Sequence, residues 1–287
     1  MKKILVIGAG RSAVTLIKYL LDNAKSNNWL VIVADYSEEL AKSAVVEHEQ
    51  GKAIFFDVFG TLVDWRTSII ELGQNIIKEE TYLIDWEKLV IEWRMNYQPA
   101  LLKINNNIEK SNSWKNLDEI HKETLEIVLK KMKINVLNEE QKNRLVKGWY
   151  KLKPWEDSRQ GVYSLKNKYI TATLSNGHLE LQKCLIKYAN LNFDILFSAE
   201  HFKKYKPEKI VYIGAVNYLG LKENECVLVA SHMDDLKAAS KFGLKTIFLS
   251  RKYEYGNYRK KIKIEEFRPD GQIDSLNRIN EALLKIT

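Results

Sequence analysis

Asp57 closes an apolar run, Ile54-Phe55-Phe56, and the turn Val58-Phe59-Gly60-Thr61 follows it at once. A carboxylate at the carboxyl end of a buried strand stands where open α/β sheets hold ligands, and an aspartate placed there is a candidate nucleophile. Taken alone, the run reads first as a turn aspartate ahead of a glycine. Three further groups follow in the order and spacing that a hydrolase with a nucleophilic aspartate needs. Residues 169 to 174 (Tyr-Ile-Thr-Ala-Thr-Leu) read as a second buried strand, ending in the hydroxyl and amide of Ser175-Asn176-Gly177. Lys206 stands in Tyr205-Lys206-Pro207, just before a helical stretch. The apolar residues 226 to 230 form another strand, which ends in Ser231-His232-Met233-Asp234-Asp235.

Strand tips carrying Asp57, Ser175, Lys206 and Asp235 alternate with helical segments, so the expected fold is α/β with a parallel, doubly wound sheet. Between the first two tips, over about 66 to 157, lie only amphipathic helical patterns: 67 to 80, 85 to 104, 116 to 133 and 138 to 150. That arrangement is a helical cap inserted after the first strand. The cleft between cap and core is then the expected active site.

From about Lys52 to its end the chain resembles the haloacid dehalogenase superfamily, and within it the type II 2-haloacid dehalogenases. Besides the strand tips, Trp93-Arg94 with Tyr97, Pro99 and Ala100, then Trp114 with Asn116-Leu117-Asp118, resemble the helical cap of that subfamily. So does Leu152-Lys153-Pro154-Trp155-Glu156-Asp157-Ser158, which leads back into the core. The resemblance implies core residues 51–65 and 158–287, a cap over 66–157, and hydrolysis of short 2-haloalkanoic acids to 2-hydroxy acids through an aspartyl ester. It makes Asp57 the nucleophile, puts Lys206 beside it and gives Asp235 the hydrolytic water. Thr61 and Ser175 hold the nucleophile and the substrate carboxylate, Arg94 and Asn176 receive the halide, and Tyr212 lines the site. His232 stands with the substrate-binding residues. Away from the resemblance, Arg94 reads as a solvated helix residue, and Lys206 can be a surface lysine, Tyr212 core, Thr61 a turn cap and His232 a loop histidine.

One position argues for dehalogenation on chemical grounds. Phosphatases of the superfamily carry a second aspartate two residues after the nucleophile, because an alkoxide leaving group needs a proton. A halide needs none, and this chain has Phe59 there. The last motif departs from the best-known type II pattern: Ala230 replaces a serine, His232 an asparagine, and Asp234 a residue usually aromatic. An extra carboxylate at 234 is unfavourable beside an anion unless it points away or helps hold a divalent cation. A magnesium-dependent phosphohydrolase using Asp57, Asp234 and Asp235 is therefore the alternative; on the leading reading no cofactor or metal is required.

Residues 1 to 50 are of another kind. Ile4-Leu5-Val6-Ile7 reads as a strand, Gly8-Ala9-Gly10-Arg11-Ser12-Ala13 opens a helix, and Val31-Ile32-Val33-Ala34-Asp35 is a second strand ending in an acid. This is a dinucleotide-binding fingerprint in its proper context, with Gly8, Gly10, Ala13 and Asp35 as the candidate cofactor contacts. The segment resembles the amino terminus of the saccharopine dehydrogenase family, truncated near Gly51-Lys52-Ala53-Ile54. Where the third Rossmann strand would stand, the hydrolase begins, and the half that seats a nicotinamide is missing. Hydride transfer is accordingly not expected, and a βαβα piece of this size buries too little surface to be stable alone. It either docks on the hydrolase, extending its sheet, or stays loosely attached. A noncatalytic nucleotide-binding module around Gly8, Gly10 and Asp35 is the third reading.

The 287 residues, 45% hydrophobic, suffice for one sizeable core with a cap. A net charge of +8 favours an acidic small substrate, and the densest basic run, Arg259-Lys260-Lys261-Ile262-Lys263, reads as solvated surface. No nucleic-acid motif and no stretch long enough to span a membrane is present. Cys184 and Cys226 fall in apolar stretches and read as reduced core thiols of a cytoplasmic protein. The expected partner is a small anionic substrate, with no nucleic acid and no membrane, and a homodimer is left open.

Overall fold

The structure, a computed structural model, describes residues 2–8, 13–37, 52–77, 84–106, 114–166, 168–257 and 267–286. Its centre is β3 (Ala53–Phe56), whose four residues are all fully buried. A strand covered on both faces needs an unbroken apolar run, and Ala-Ile-Phe-Phe supplies one. Ile54 and Phe56 enter the apolar cluster on one face of the sheet, and Ala53 and Phe55 enter the cluster on the other, as the two-residue period of a strand requires. The first cluster takes in Val162, Leu181, Leu185, Ile279 and Leu283 from helices Ser158–Ser164, Leu179–Tyr188 and Ile279–Ile286. Val211, Tyr212, Leu236 and Ala239 from helices Lys209–Tyr218 and Met233–Lys241 fill the second.

Around β3 the parallel sheet adds β6 (Ile170–Ser175), β7 (Ile195–Ser198), β8 (Cys226–Ala230), β9 (Lys245–Leu249) and β10 (Gly271–Ile273), in the order β10-β9-β8-β3-β6-β7. The chain runs from β3 to β6 on one side and later to β8 on the other, so strand order reverses at β3. Connections leave that point in opposite directions and open a crevice beyond its carboxyl end. Asp57 sits at this crevice, its backbone N–H donating to Val229 O (3.1 Å) on the neighbouring strand.

Between β4 (Val63–Asp64) and β5 (Lys153–Pro154) lie the four cap helices, Trp65–Ile76, Trp86–Asn106, Leu117–Lys131 and Glu139–Gly148. They match the four expected patterns to within a few residues; positions 78 to 80 of the first lie outside the described residues. β4 and β5 pair antiparallel, so the two crossings into the cap are tied together at its base. Helix starts follow local capping chemistry: Asp64 accepts from Thr67 N, and Asn116 and Asn138 form reciprocal capping boxes with Glu119 and Gln141.

The amino-terminal segment forms a βαβ unit. β1 (Lys2–Ile7) and β2 (Trp29–Ala34) pair in parallel with each other, with helix Val14–Asp22 between them in sequence. Neither strand joins the six-stranded sheet, so the expected alternative of sheet extension does not occur among the described residues. β3, in the place of a third Rossmann strand, pairs only with β6 and β8. Gly8 adopts φ +97°, a conformation that favours glycine, and donates to Ala34 O. Ala13 stands at the helix start and Asp35 just beyond β2, its carboxylate accepting from Ser37 N; Gly10 lies outside the described residues, as does the basic run 259 to 263.

Three expectations are corrected. Cys184 is exposed, because it falls on the outer face of a helix that buries Leu181 and Leu185, whereas Cys226 is buried at the start of β8; both thiols are free. Lys206 is not at a strand tip, since β7 first gives way to helix Ala199–Phe202, and the lysine comes from the loop beyond it. Asp235 likewise lies in the first turn of helix Met233–Lys241 rather than on β8.

Candidate active site

The Asp57 carboxylate is held by three side chains, Thr61 from its own turn and Lys206 and His232 from distant parts of the chain. Lys206 Nζ donates to Oδ1 (3.0 Å), Thr61 Oγ1 donates to Oδ2 (2.8 Å), and His232 Nδ1 lies 3.1 Å from the same Oδ2. Burial opposes its charge, but Lys206, His232 and Thr61 together outweigh that and hold it far below the ordinary carboxylate range. Asp57 is therefore ionised, as a carboxylate nucleophile must be. Thr61 also accepts from Ser231 N (3.0 Å), which fixes the direction of its hydroxyl proton toward Asp57. The loop carrying Thr61 is braced from outside: Arg251 Nε donates to Thr61 O, Ser158 Oγ to Leu62 O, and Trp155 Nε1 to Gly60 O.

Lys206 bridges to a second carboxylate, donating to Asp235 Oδ2, while Tyr212 donates to Asp235 Oδ1 (2.6 Å). Burial and the nearby Asp57 raise the Asp235 pKa despite Lys206, and those two carboxylates keep Lys206 protonated against its own burial. Both oxygens of Asp235 are thus engaged in placing Lys206 and Tyr212. Asn176 Oδ1 accepts from Lys206 N (2.9 Å) and fixes the lysine loop. Ser175 is fully buried beneath the site, where its hydroxyl accepts from Gly177 N (3.1 Å); among the described residues it makes no hydrogen bond to Asp57.

Across a cavity of about 160 Å³ from these groups stands Arg94, carried by the longest cap helix. Its guanidinium lies over Tyr97 (4.4 Å), Trp65 (5.4 Å) and Trp149 (5.9 Å), with Nη1 buried and without a hydrogen-bond partner among the described residues. Aromatic faces attract a cation without neutralising it. Burial works against the charge, and Tyr255, Tyr97, Glu254 and Asp57 outweigh it, so Arg94 stays protonated. Phe59, buried and edge-on to Trp149 (5.9 Å), forms part of the cavity wall where a proton-donating acid would otherwise stand. Asp234 borders the same cavity with an exposed side chain. Among the described residues no group of three or more His, Cys, Asp or Glu is arranged to hold a metal ion.

The sequence reading missed Glu254. This buried carboxylate lies 3.0 Å from His232 Nε2 and accepts from Trp65 Nε1 (2.9 Å). Burial opposes charge on His232, but Glu254 and Asp57, one on each ring nitrogen, lift its pKa well above the usual imidazole value. Glu254 in turn is held low by His232 and the Trp65 N–H in spite of burial. The available signal was positional: Tyr253-Glu254-Tyr255-Gly256 follows shortly after the end of β9, on the same edge of the sheet as Asp57. Trp65 and Trp149 were missed as well, since tryptophans on amphipathic helices read as core.

Residues 52–243 match the family of haloacid dehalogenase-like hydrolases. The chain belongs to that family. The hydrolase is 27% identical to (S)-2-haloacid dehalogenase 4A of Burkholderia cepacia, over 82% of this chain and 95% of the relative. Its fold matches the crystal structure of an L-2-haloacid dehalogenase at 37% identity and a TM-score of 0.74, covering 81% of this chain and 98% of that one. A defluorinating L-2-haloacid dehalogenase matches at 30% identity with the same TM-score, covering 81% and 95%. In the hydrolase, then, Asp57, Arg94, Asn176, Lys206, Tyr212, His232 and Asp235 line one cavity, with Thr61 bonded to Asp57 and Ser175 buried beneath. Among the described residues no helix is long and apolar enough to cross a membrane.

Proposed function

We propose that the hydrolase cleaves the carbon–halogen bond of short (S)-2-haloalkanoic acids to give 2-hydroxy acids through an ester on Asp57. The observation that carries the reading is the pairing, in one small cavity, of an ionised Asp57 with an Arg94 guanidinium caged by aromatic rings. The first is an anionic nucleophile without a proton-donating acid two residues on; the second is a cation free to receive a departing halide. Asp57 attacks C2 in line with the carbon–halogen bond, the bonding pair leaves with the halide toward Arg94 and Asn176, and no proton is transferred. Two anions meet in this step, and Lys206 with the adjacent donors offsets their repulsion. Water then attacks the Asp57 carbonyl carbon and frees the hydroxy acid. Residues 51–287 carry this chemistry, with the cap over 66–157 supplying Arg94, and the segment 1–50 is catalytically idle.

The test is halide release from the two enantiomers of 2-chloropropionate, beside a generic phosphatase substrate, each with and without magnesium. The L substrate is expected to be consumed and the D product formed, with activity surviving EDTA. If EDTA removes all activity and magnesium restores it toward the phosphate ester, the phosphohydrolase reading replaces this one.

A further inference from the structure

Esterification gives the two oxygens of Asp57 different fates, and the structure treats them differently. Among the described residues Oδ1 takes a hydrogen bond from Lys206 alone, whereas Oδ2 faces both the Thr61 hydroxyl at 2.8 Å and His232 Nδ1 at 3.1 Å. The less engaged Oδ1 keeps a lone pair for attack and becomes the bridging ester oxygen. Oδ2 becomes the carbonyl oxygen. When water adds to the Asp57 carbonyl carbon, the carbonyl π pair moves onto Oδ2 as a developing oxyanion. Donors at 2.7–3.1 Å from that position are what stabilise such a charge.

We propose that His232, held as an imidazolium by Glu254, is with Thr61 the oxyanion-stabilising donor for hydrolysis of the Asp57 ester; the inference rests on the function proposed above. Both ring nitrogens face carboxylate oxygens, and only the doubly protonated ring can donate to both. Esterification cancels the charge on Asp57, which would leave the imidazolium without a counter-ion were Asp57 its only partner. Glu254 remains on the other nitrogen at 3.0 Å and is itself fixed by Trp65 Nε1. It is also wedged against the nucleophile loop, because a Cβ on Gly60 would fall 2.1 Å from Glu254 Oε1. His232 is thus a catalytic residue and Glu254 a positioning residue.

The water oxygen bonds to Cγ while one water proton passes to the carboxylate of Asp235. Collapse of the oxyanion restores the carbonyl and breaks the bond from Cγ to Oδ1, which leaves with the product. That alkoxide takes a proton from adjacent Lys206, and Asp235 returns one to the lysine. The carboxyl of Asp57 then loses its proton to solvent, ready for another turn.

Rapid-quench kinetics with L-2-chloropropionate separate the two steps, reading halide for the first and intact protein mass for the ester. In Glu254→Gln we expect a full burst of one halide per site, accumulation of the ester, and hydrolysis slowed by about ten- to a hundredfold, below the full loss of an oxyanion donor. His232→Asn keeps a neutral donor that needs no counter-ion, so adding Glu254→Gln to it should change hydrolysis less than about twofold, a non-additive cycle. Should Glu254→Gln fail to fold, His232→Asn alone decides, through a retained burst followed by slowed hydrolysis. A burst slowed as much as hydrolysis, or no ester in any variant, overturns the proposal. A parent enzyme that releases no halide from either enantiomer sinks the proposed function and this inference together.

Discussion

Replacing Lys206 with Met removes the ammonium that bridges two buried carboxylates while keeping most of the length of the side chain. Lys206 Nζ lies 3.0 Å from Asp57 Oδ1, with both side chains about nine-tenths buried. At an effective dielectric constant of about 20 that contact carries roughly 5 kcal/mol of gross Coulomb attraction. Desolvation of three ions offsets much of it, so the net loss is governed by the uncompensated charge left behind, about 3–5 kcal/mol for a broken buried pair. The pH dependence has a definite sign. In the parent, the depressed Asp57 pKa contributes stability that is present above the unfolded value of about 3.9 and lost only as pH falls through the lower folded value. His232, with a raised pKa, contributes fully below about 6.5 and loses its contribution as pH rises through its folded value. Between pH 7 and 5 the Asp57 term is therefore constant in the parent. In Lys206→Met the two carboxylates repel, one takes up a proton as pH falls, and the destabilisation shrinks. Urea unfolding of both proteins at pH 7 and pH 5 measures this. A variant as stable as the parent at pH 7, or one whose deficit grows toward pH 5, refutes the electrostatic account of the site.

Asp57→Asn should retain the fold and abolish turnover, and a single turnover of the parent in heavy-oxygen water should place solvent oxygen in Asp57; label appearing directly in the product sinks the ester mechanism. Gly60→Ala should destabilise by about 1–3 kcal/mol in thermal or urea unfolding, since φ is +86° and the new methyl meets Glu254; an unchanged midpoint contradicts that packing. For the amino-terminal segment, calorimetry should find weak binding that does not distinguish NAD from ADP-ribose, because only the adenosine-diphosphate half of a dinucleotide site is represented. A chain starting near Gly51 should keep dehalogenase activity, and a folded but inactive truncation would show that residues 1 to 50 take part.

Much of the architecture was legible because it rests on short-range rules. The fully apolar run at β3 identifies a strand buried on both faces, the periodic apolar positions identify four cap helices, and Asn116 and Asn138 mark two helix starts by local capping. Boundaries were less legible where the chain bends: Lys206 and Asp235 were assigned to strand tips, yet a short helix and a helical first turn intervene.

The candidacy of Asp57 as a nucleophile, the apolar Phe59 where a second acid would stand and the order of the site groups are properties of residue type and spacing, and they are legible in the sequence alone. Which oxygen of Asp57 each donor meets was decided only by the tertiary fold, because Lys206 and His232 reach the carboxylate from loops far along the chain and the hydroxyl of Thr61, on the same turn as Asp57, is oriented by the distant Ser231 N. Arg94 illustrates the same divide. On its helix it is indistinguishable from a solvated arginine, and it becomes a caged cation only when packing sets Trp65, Tyr97 and Trp149 around it. Glu254 carries no local signal of charge pairing at all, since its partner His232 lies on the loop that follows a different strand, and proximity created by sheet order is not written in either segment.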